Sequence, residues 1–269
     1  MFEPEPPGMR ERLILRIGGY SKLMYWYRSK RPRWFWRMTS PFGKPTTRYV
    51  KEQGLEVKRG AFAGLRFPSR ALGHTNYLSA KLMGVYEPDV VQFLSDHAGK
   101  AEVFVDLGSG DGFFCAGVAR KASPEVIGFE TNQFECKLAH ELARKNGVQI
   151  ETRGLATEDG LNDLPRGRLL LLSDVEGLEE DLIDPEIVPR LREATMVIET
   201  HEQFRPNVIE KLNERFSDTH DISRIFKEVP GRKSCPEVKD WSDGDFEIAA
   251  YDGHHSGDSW MTLVPKKPG

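Results

Sequence analysis

The stretch from Glu102 to Ala119 constrains this chain more than any other. Residues 103–105, Val-Phe-Val, are a short apolar run of the kind that builds a buried strand. Asp106-Leu107-Gly108-Ser109-Gly110-Asp111-Gly112 follows, and then the apolar run Phe113-Phe114-Cys115-Ala116-Gly117-Val118-Ala119, which reads as a helix. Strand, glycine turn and helix together form the unit that lays a ligand over a helix N-terminus. The glycines admit a ligand where a Cβ would collide with it.

The charge at the turn narrows the ligand. A dinucleotide fingerprint, G-x-G-x-x-G, needs its third glycine at position 113, which is Phe113. Here the glycines run G-x-G-x-G, and Asp106 stands at the strand end. A carboxylate there repels a pyrophosphate and suits a ligand with cationic groups. S-adenosylmethionine carries an ammonium, a sulfonium and no phosphate, so the charge sign favours it over NAD. The turn residues Gly108, Ser109, Gly110 and Gly112 are then its expected cradle. A second strand at 125–129 leads into Glu130, which can accept from both ribose hydroxyls, a feature NAD sites share. Asn132 is placed to cap the next helix, whose apolar positions Phe134, Leu138, Ala139 and Leu142 keep the helical period until Asn146-Gly147. Residues 148–152 read as a third strand, and Ala156-Thr157 fall where an adenine edge is read.

The alternation continues. Residues 169–172 are a strand ending at Asp174, and 195–198 a strand ending at Glu199. Pro206 is placed to start a helix with Val208, Ile209, Leu212 and Phe216 on one face. Residues 222–226 and 260–264 are two last strands. Alternating strands and helices predict an α/β fold, a doubly wound sheet that binds ligands at the carboxyl ends of its strands. Asp106, Glu130, Asp174 and Glu199 are thereby expected on one rim.

The sequence resembles the FkbM-like branch of the S-adenosylmethionine-dependent methyltransferases. The matching residues are Gly84-Val85-Tyr86-Glu87-Pro88, Val105 to Gly112, Gly128-Phe129-Glu130 and Val197-Ile198-Glu199-Thr200-His201. Most distinctive is Ser173-Asp174-Val175-Glu176-Gly177-Leu178-Glu179, which looks like the family's D-V-E-G-x-E signature. Thr131 stands where the family often has Pro. The resemblance covers about residues 80–226. It implies the Rossmann-like class I methyltransferase fold, a mostly parallel seven-stranded sheet whose last strand is antiparallel. It also implies methyl transfer, usually to oxygen of a sugar, polyketide or other natural product, and some relatives use a divalent metal. By the same resemblance the segment with Tyr86 and Glu87 folds over the cofactor, with Glu87 near its ammonium. The expected cofactor residues are therefore Glu87, Asp106, Gly108, Ser109, Gly110, Gly112, Glu130, Thr131, Ala156 and Asp174.

A hydroxyl acceptor must also lose its proton. His201, Asp174 and Glu176 are the candidate catalytic residues, His201 because an imidazole titrates near neutral pH. Asp174 with Glu199 offers oxygen ligands for Mg2+. Lys81 reads as a solvated helix residue, His74 as a loop residue that can line an acceptor site, and His254-His255 as part of a solvated loop.

The formal net charge of −3 hides a basic arm: residues 9–51 hold twelve Lys or Arg against one acid, Glu11, with Trp26, Trp34 and Trp36 among them. Such a mixture suits an anionic membrane surface, packing on the acidic remainder of the chain or, less well, RNA. The expected organisation is a basic helical extension over 1–50 and a methyltransferase domain over 51–269, with an insertion loop at 228–257 rich in Gly, Asp, Pro and Ser. No apolar run reaches the roughly 18 residues of a membrane span. The acidic, Pro-rich start is unlike a secretion signal. Cys115, Cys136 and Cys235 form no CxxC pair, which points to a reducing, cytoplasmic setting, with contact at the inner membrane face as the arm's extra option. The reading is an O-methyltransferase acting on a sugar, lipid-linked glycan or natural product. Its alternatives are a non-catalytic cofactor-binding scaffold and a protein or RNA methyltransferase.

Overall fold

The computed structural model describes residues 43–226, 231–251 and 259–267. They fall into two compact units, one of residues 43–86 with 231–251, the other of 87–226 with 259–267. Of the basic arm only residues 43–51 are described, within the helix Gly43–Gln53. The rest of the arm, and His254-His255, lie outside the described residues. Among the described residues no helix is long and apolar enough to cross a membrane.

The first unit corrects the expectation of a long loop at 228–257. Its described part holds two short 3-10 turns, Arg232–Ser234 and Pro236–Val238, and the helix Asp243–Ala250. The Pro, Ser and Asp residues that suggested a loop start these elements: the Ser242 hydroxyl accepts from the Asp245 amide at 3.1 Å and caps the helix. Between them Cys235, Val238, Trp241, Phe246, Ala249 and Ala250 are buried. A polar network ties this segment to the helix Gly43–Gln53 and the residues after it. The Tyr49 hydroxyl donates to Glu237 at 3.0 Å, Arg59 pairs with the same carboxylate, and the Trp241 indole donates to Glu52 at 3.3 Å. Lys81 is also corrected. It lies in the helix Leu78–Met83, whose six residues are all buried, with its ammonium 4.9 Å from the centre of the Tyr86 ring. Its stem is packed and its charge rests on an aromatic face rather than in solvent.

The second unit is a seven-stranded sheet: β1 (Val103–Leu107), β2 (Glu125–Phe129), β3 (Glu151–Arg153), β4 (Leu169–Ser173), β5 (Thr195–Thr200), β6 (His220–Ile225) and β7 (Ser259–Pro265). The order is β3-β2-β1-β4-β5-β7-β6. β1 to β5 pair in parallel, while β7 runs antiparallel to both β5 and β6. The expected doubly wound, Rossmann-like sheet with a reversed last strand is therefore present. β1 and β4 are buried along their whole length, which is why they read as unbroken apolar runs rather than as an alternation.

Three boundaries differ from the sequence reading. Strand β3 starts at Glu151, because the Val148 amide is used to close the preceding helix on the Ala143 carbonyl at 3.1 Å. Glu199 lies inside β5, which continues to Thr200. The helix after β5 is Val208–Phe216, preceded not by Pro206 but by Asn207 in a left-handed conformation.

Candidate active site

The register brings the strand ends level. Leu107 pairs with Phe129 on one side and Ser173 on the other, and Ser173 pairs with Ile198. One residue further on, Gly108, Glu130, Asp174 and Glu199 therefore share the carboxyl edge of the sheet. The chain order reverses between β1 and β4, the crevice where open α/β sheets take their ligands. Asp106 is one step short of this edge. It sits within β1, fully buried, with the Cys115 thiol of the following helix donating to its Oδ2 at 3.4 Å.

The turn after β1 is folded onto the neighbouring strands. Gly108 and Ser109 both donate to the Phe129 carbonyl at 3.0 Å, and the Asp174 amide donates to Leu107 at 2.9 Å. Gly108 has φ +88°, and a Cβ there would lie 2.1 Å from the Asp174 carbonyl oxygen, so no other residue fits. Glu130 braces the turn: one carboxylate oxygen accepts from Gly110 at 3.1 Å and the other from Asn132 at 2.7 Å. Two buried polar atoms, Asp106 Oδ1 and Ser109 Oγ, have no hydrogen-bond partner among the described residues. Leaving them so is costly, and a ligand with donors settles the deficit. The Asp106 carboxyl is pushed up to about 7 by burial; the Cys115 hydrogen bond opposes this, and the charges of Asp174, Glu130 and Asp111 add to it. The residues present thus fit a cationic nucleoside cofactor.

The remaining expected cofactor residues are placed as follows. Asn132 caps the helix Gln133–Lys145 by accepting from Phe134 at 2.9 Å, and Thr131 before it is exposed. Ala156 is buried and Thr157 caps the helix Glu158–Asn162. Glu87 is 5% exposed and precedes the helix Pro88–Ala98 with φ +45°.

A second cluster lies across the ends of β4 and β5. His201 is 2% exposed and its Nδ1 is 2.5 Å from Glu179 Oε1. Its Nε2 faces three more carboxylates: Glu176 Oε2 at 3.6 Å, Glu199 Oε2 at 3.7 Å and Asp174 Oδ1 at 3.8 Å. The three expected catalytic residues, Asp174, Glu176 and His201, are therefore together, and Glu199 joins them. Burial opposes a charge on His201, but the Glu179 hydrogen bond and the carboxylates of Glu199 and Asp174 outweigh it and raise the imidazole to about 9. At neutral pH this ring holds its proton, which argues against the general-base role expected of it.

Glu179 was not singled out by sequence. It is fully buried, and its Oε1 also accepts from the Gly177 amide at 3.0 Å. The only signal was its place at the end of the Ser173–Glu179 motif, where an acid beginning a helix reads as an ordinary partner of the helix dipole. The turn is held from the other side as well. Arg205 donates to the Gly177 carbonyl at 2.9 Å, and Phe204 packs beside the His201 ring, 5.9 Å between centres.

No protein family matches the chain in sequence, and no curated protein does. Several solved structures are similar in fold. One is described as a putative O-methyltransferase from Klebsiella pneumoniae, 11% identical with a TM-score of 0.48, covering 87% of this chain and 95% of that one. Another is the O-methyltransferase from Bacillus cereus in complex with SAH, 14% identical, TM-score 0.46, covering 67% and 82%. A third is an rRNA methylase from Streptococcus thermophilus, 12% identical, TM-score 0.48, covering 67% and 96%.

Proposed function

We propose that this chain is an S-adenosylmethionine-dependent methyltransferase acting on a hydroxyl of a sugar, lipid-linked glycan or natural product. The observation that carries the reading is the glycine turn, with buried unpartnered acceptors on Asp106 and Ser109 and with Glu130 bracing it. When bound, the cofactor supplies an electrophilic methyl group. The chain's task is then chiefly alignment, worth about 7–11 kcal/mol when orientation is good. Asp106 offers negative charge to a cationic ligand, and the Glu130 carboxylate stands at the end of β2, where ribose hydroxyls would donate to it. The same acids disfavour a pyrophosphate. The oxygen preference rests on the resemblance of Ser173–Glu179 and Gly128–Glu130 to FkbM-like enzymes.

Removing a proton from the acceptor is worth about 10²- to 10⁴-fold. With the His201 ring already protonated, the half-buried carboxylates of Asp174 and Glu176 are the better proton acceptors, and the imidazolium offsets their charge. Calorimetric titration with S-adenosylmethionine and with NAD tests the cofactor. Binding of the first alone is expected, and binding of NAD in its place overturns the reading. Labelled cofactor supplied with fractionated cell extract then reports whether lipid, glycan, protein or RNA takes the methyl group. Label entering none of them, despite cofactor binding, favours the non-catalytic alternative.

A further inference from the structure

We propose that Cys115 is a positioning residue for the cofactor: its thiol donates to one oxygen of Asp106, leaves the other to the ligand, and so sets the pH at which the pocket takes up S-adenosylmethionine. The role rests on S-adenosylmethionine being the ligand of the glycine turn. Cys115 stands in the first turn of the helix Phe113–Ala122, with its Sγ 3.4 Å from Asp106 Oδ2. Both residues are fully buried. Asp106 Oδ1 has no hydrogen-bond partner among the described residues, and neither has Ser109 Oγ in the turn. The room for this arrangement comes from β2. Gly128 is the register partner of Asp106, and a Cβ there would lie 2.6 Å from Ser109 Oγ and 3.3 Å from Cys115 Sγ. One glycine thus admits a hydroxyl and a thiol beside a sealed carboxyl.

The thiol is held as a donor. Burial, the Asp106 charge beside it and the Asp111 charge push it well above its ordinary range, so at neutral pH it keeps its proton and is no nucleophile. A thiol is also a weak donor. That weakness matters, because everything else around Asp106 opposes its ionisation. Burial acts most, and the carboxylates of Asp174 after β4, Glu130 after β2 and Asp111 in the turn add to it, which leaves the acid at about 7. A hydroxyl in place of the thiol, being a stronger donor, would favour the ionised form and pull the acid down. With no donor the acid would rise further. The weak donor therefore poises Asp106 close to neutrality. When a cationic ligand binds, the carboxyl O–H gives its proton to solvent and the thiol keeps its own. Cofactor uptake below neutral pH is then coupled to release of about one proton.

The test follows wild type, Cys115→Ser and Cys115→Ala as full chains across about pH 5–9, by two readouts. Carbon-13 NMR of chains labelled at the aspartate carboxyls reports the Asp106 titration without ligand, its signal being the one absent from Asp106→Asn. Calorimetry with S-adenosylmethionine reports the pH midpoint of binding. One net hydrogen bond corresponds to about 0.5–1 pH unit. Both midpoints are expected to rise by that amount in Cys115→Ala and to fall in Cys115→Ser. At about pH 6 the alanine chain should then bind about three- to tenfold more weakly than wild type, and above all three midpoints the affinities should agree within about twofold. A packing role alone would weaken binding alike at every pH and leave the midpoints where they are, and that result overturns the proposal. Cys115→Ser changes the side-chain volume little, so it keeps the test open if a thermal melt shows Cys115→Ala unfolded. The two readouts also separate the failures. S-adenosylmethionine bound with unmoved midpoints removes only the role of Cys115, whereas no binding at any pH sinks the proposed function and the cofactor role with it.

Discussion

Asp106 has a carboxyl sealed inside the sheet, raised from 3.8 to about 7, with one oxygen lacking a partner among the described residues. Its contribution to the stability of the ligand-free chain is therefore present at acid pH and is lost as pH rises through about 7. A cationic ligand reverses the preference, because it favours the ionised form. Affinity for S-adenosylmethionine should thus rise with pH, by about tenfold per unit below pH 7, and level off above it. Calorimetry between pH 5.5 and 8.5 measures this. In Asp106→Asn the profile should be flat and the affinity at pH 8 at least about tenfold lower, equivalent to ~1.4 kcal/mol. A wild-type profile that does not change with pH removes Asp106 from cofactor recognition. This residue was legible in the sequence because its role follows from local neighbours, an apolar run before it and a glycine turn after it. The pairing of Glu179 with His201 was not legible. The two residues are 22 positions apart and meet only because β4 and β5 lie side by side.

At the scale of elements, the turn from β4 to the helix Glu179–Leu182 does most to shape the second cluster. Glu176 has φ +53° and Gly177 φ +97°. These successive left-handed residues turn the chain so that Glu176 and Glu179 both reach His201. A Cβ on Gly177 would lie 2.8 Å from the Phe204 Cβ. Gly177→Ala should therefore lower stability by about 1–3 kcal/mol, seen as a reduced Tm. An unchanged Tm would mean that the turn relaxes freely. Buried strands and amphipathic helices were readable here because each leaves its own period or apolar run. The helix Asp243–Ala250 was not, since its glycine and aspartates outweighed its few apolar residues in any compositional reading.

At the scale of the whole molecule, the seven-stranded sheet and its reversed strand were expected and are present. The division into units was less visible. Residues 231–251 belong with 43–86, across almost the whole length of the sheet-forming sequence, and only tertiary contact reveals such a pairing. The basic arm is the remaining large feature. Nine of its twelve cationic side chains fall within residues 9–42, and at about 1 kcal/mol each near an anionic bilayer they are the basis for testing the arm as a membrane contact. Deleting residues 1–42 should abolish co-sedimentation with phosphatidylserine vesicles and leave cofactor affinity within about twofold, the deletion lying outside the glycine turn. Vesicle binding that survives the deletion excludes the arm as a membrane contact.

The strand order carries one more consequence. β5, which bears Glu199 and leads directly into His201, has β7 as its neighbour on one side, and Glu199 is paired there with Trp260. On the ribosome this flank of β5 stays bare until residue 265 has been synthesised and has emerged from the exit tunnel. The nascent protein must therefore carry an open sheet edge beside its acidic cluster from the completion of β5 until β7 emerges, and a product ending before residue 259 would never close that edge.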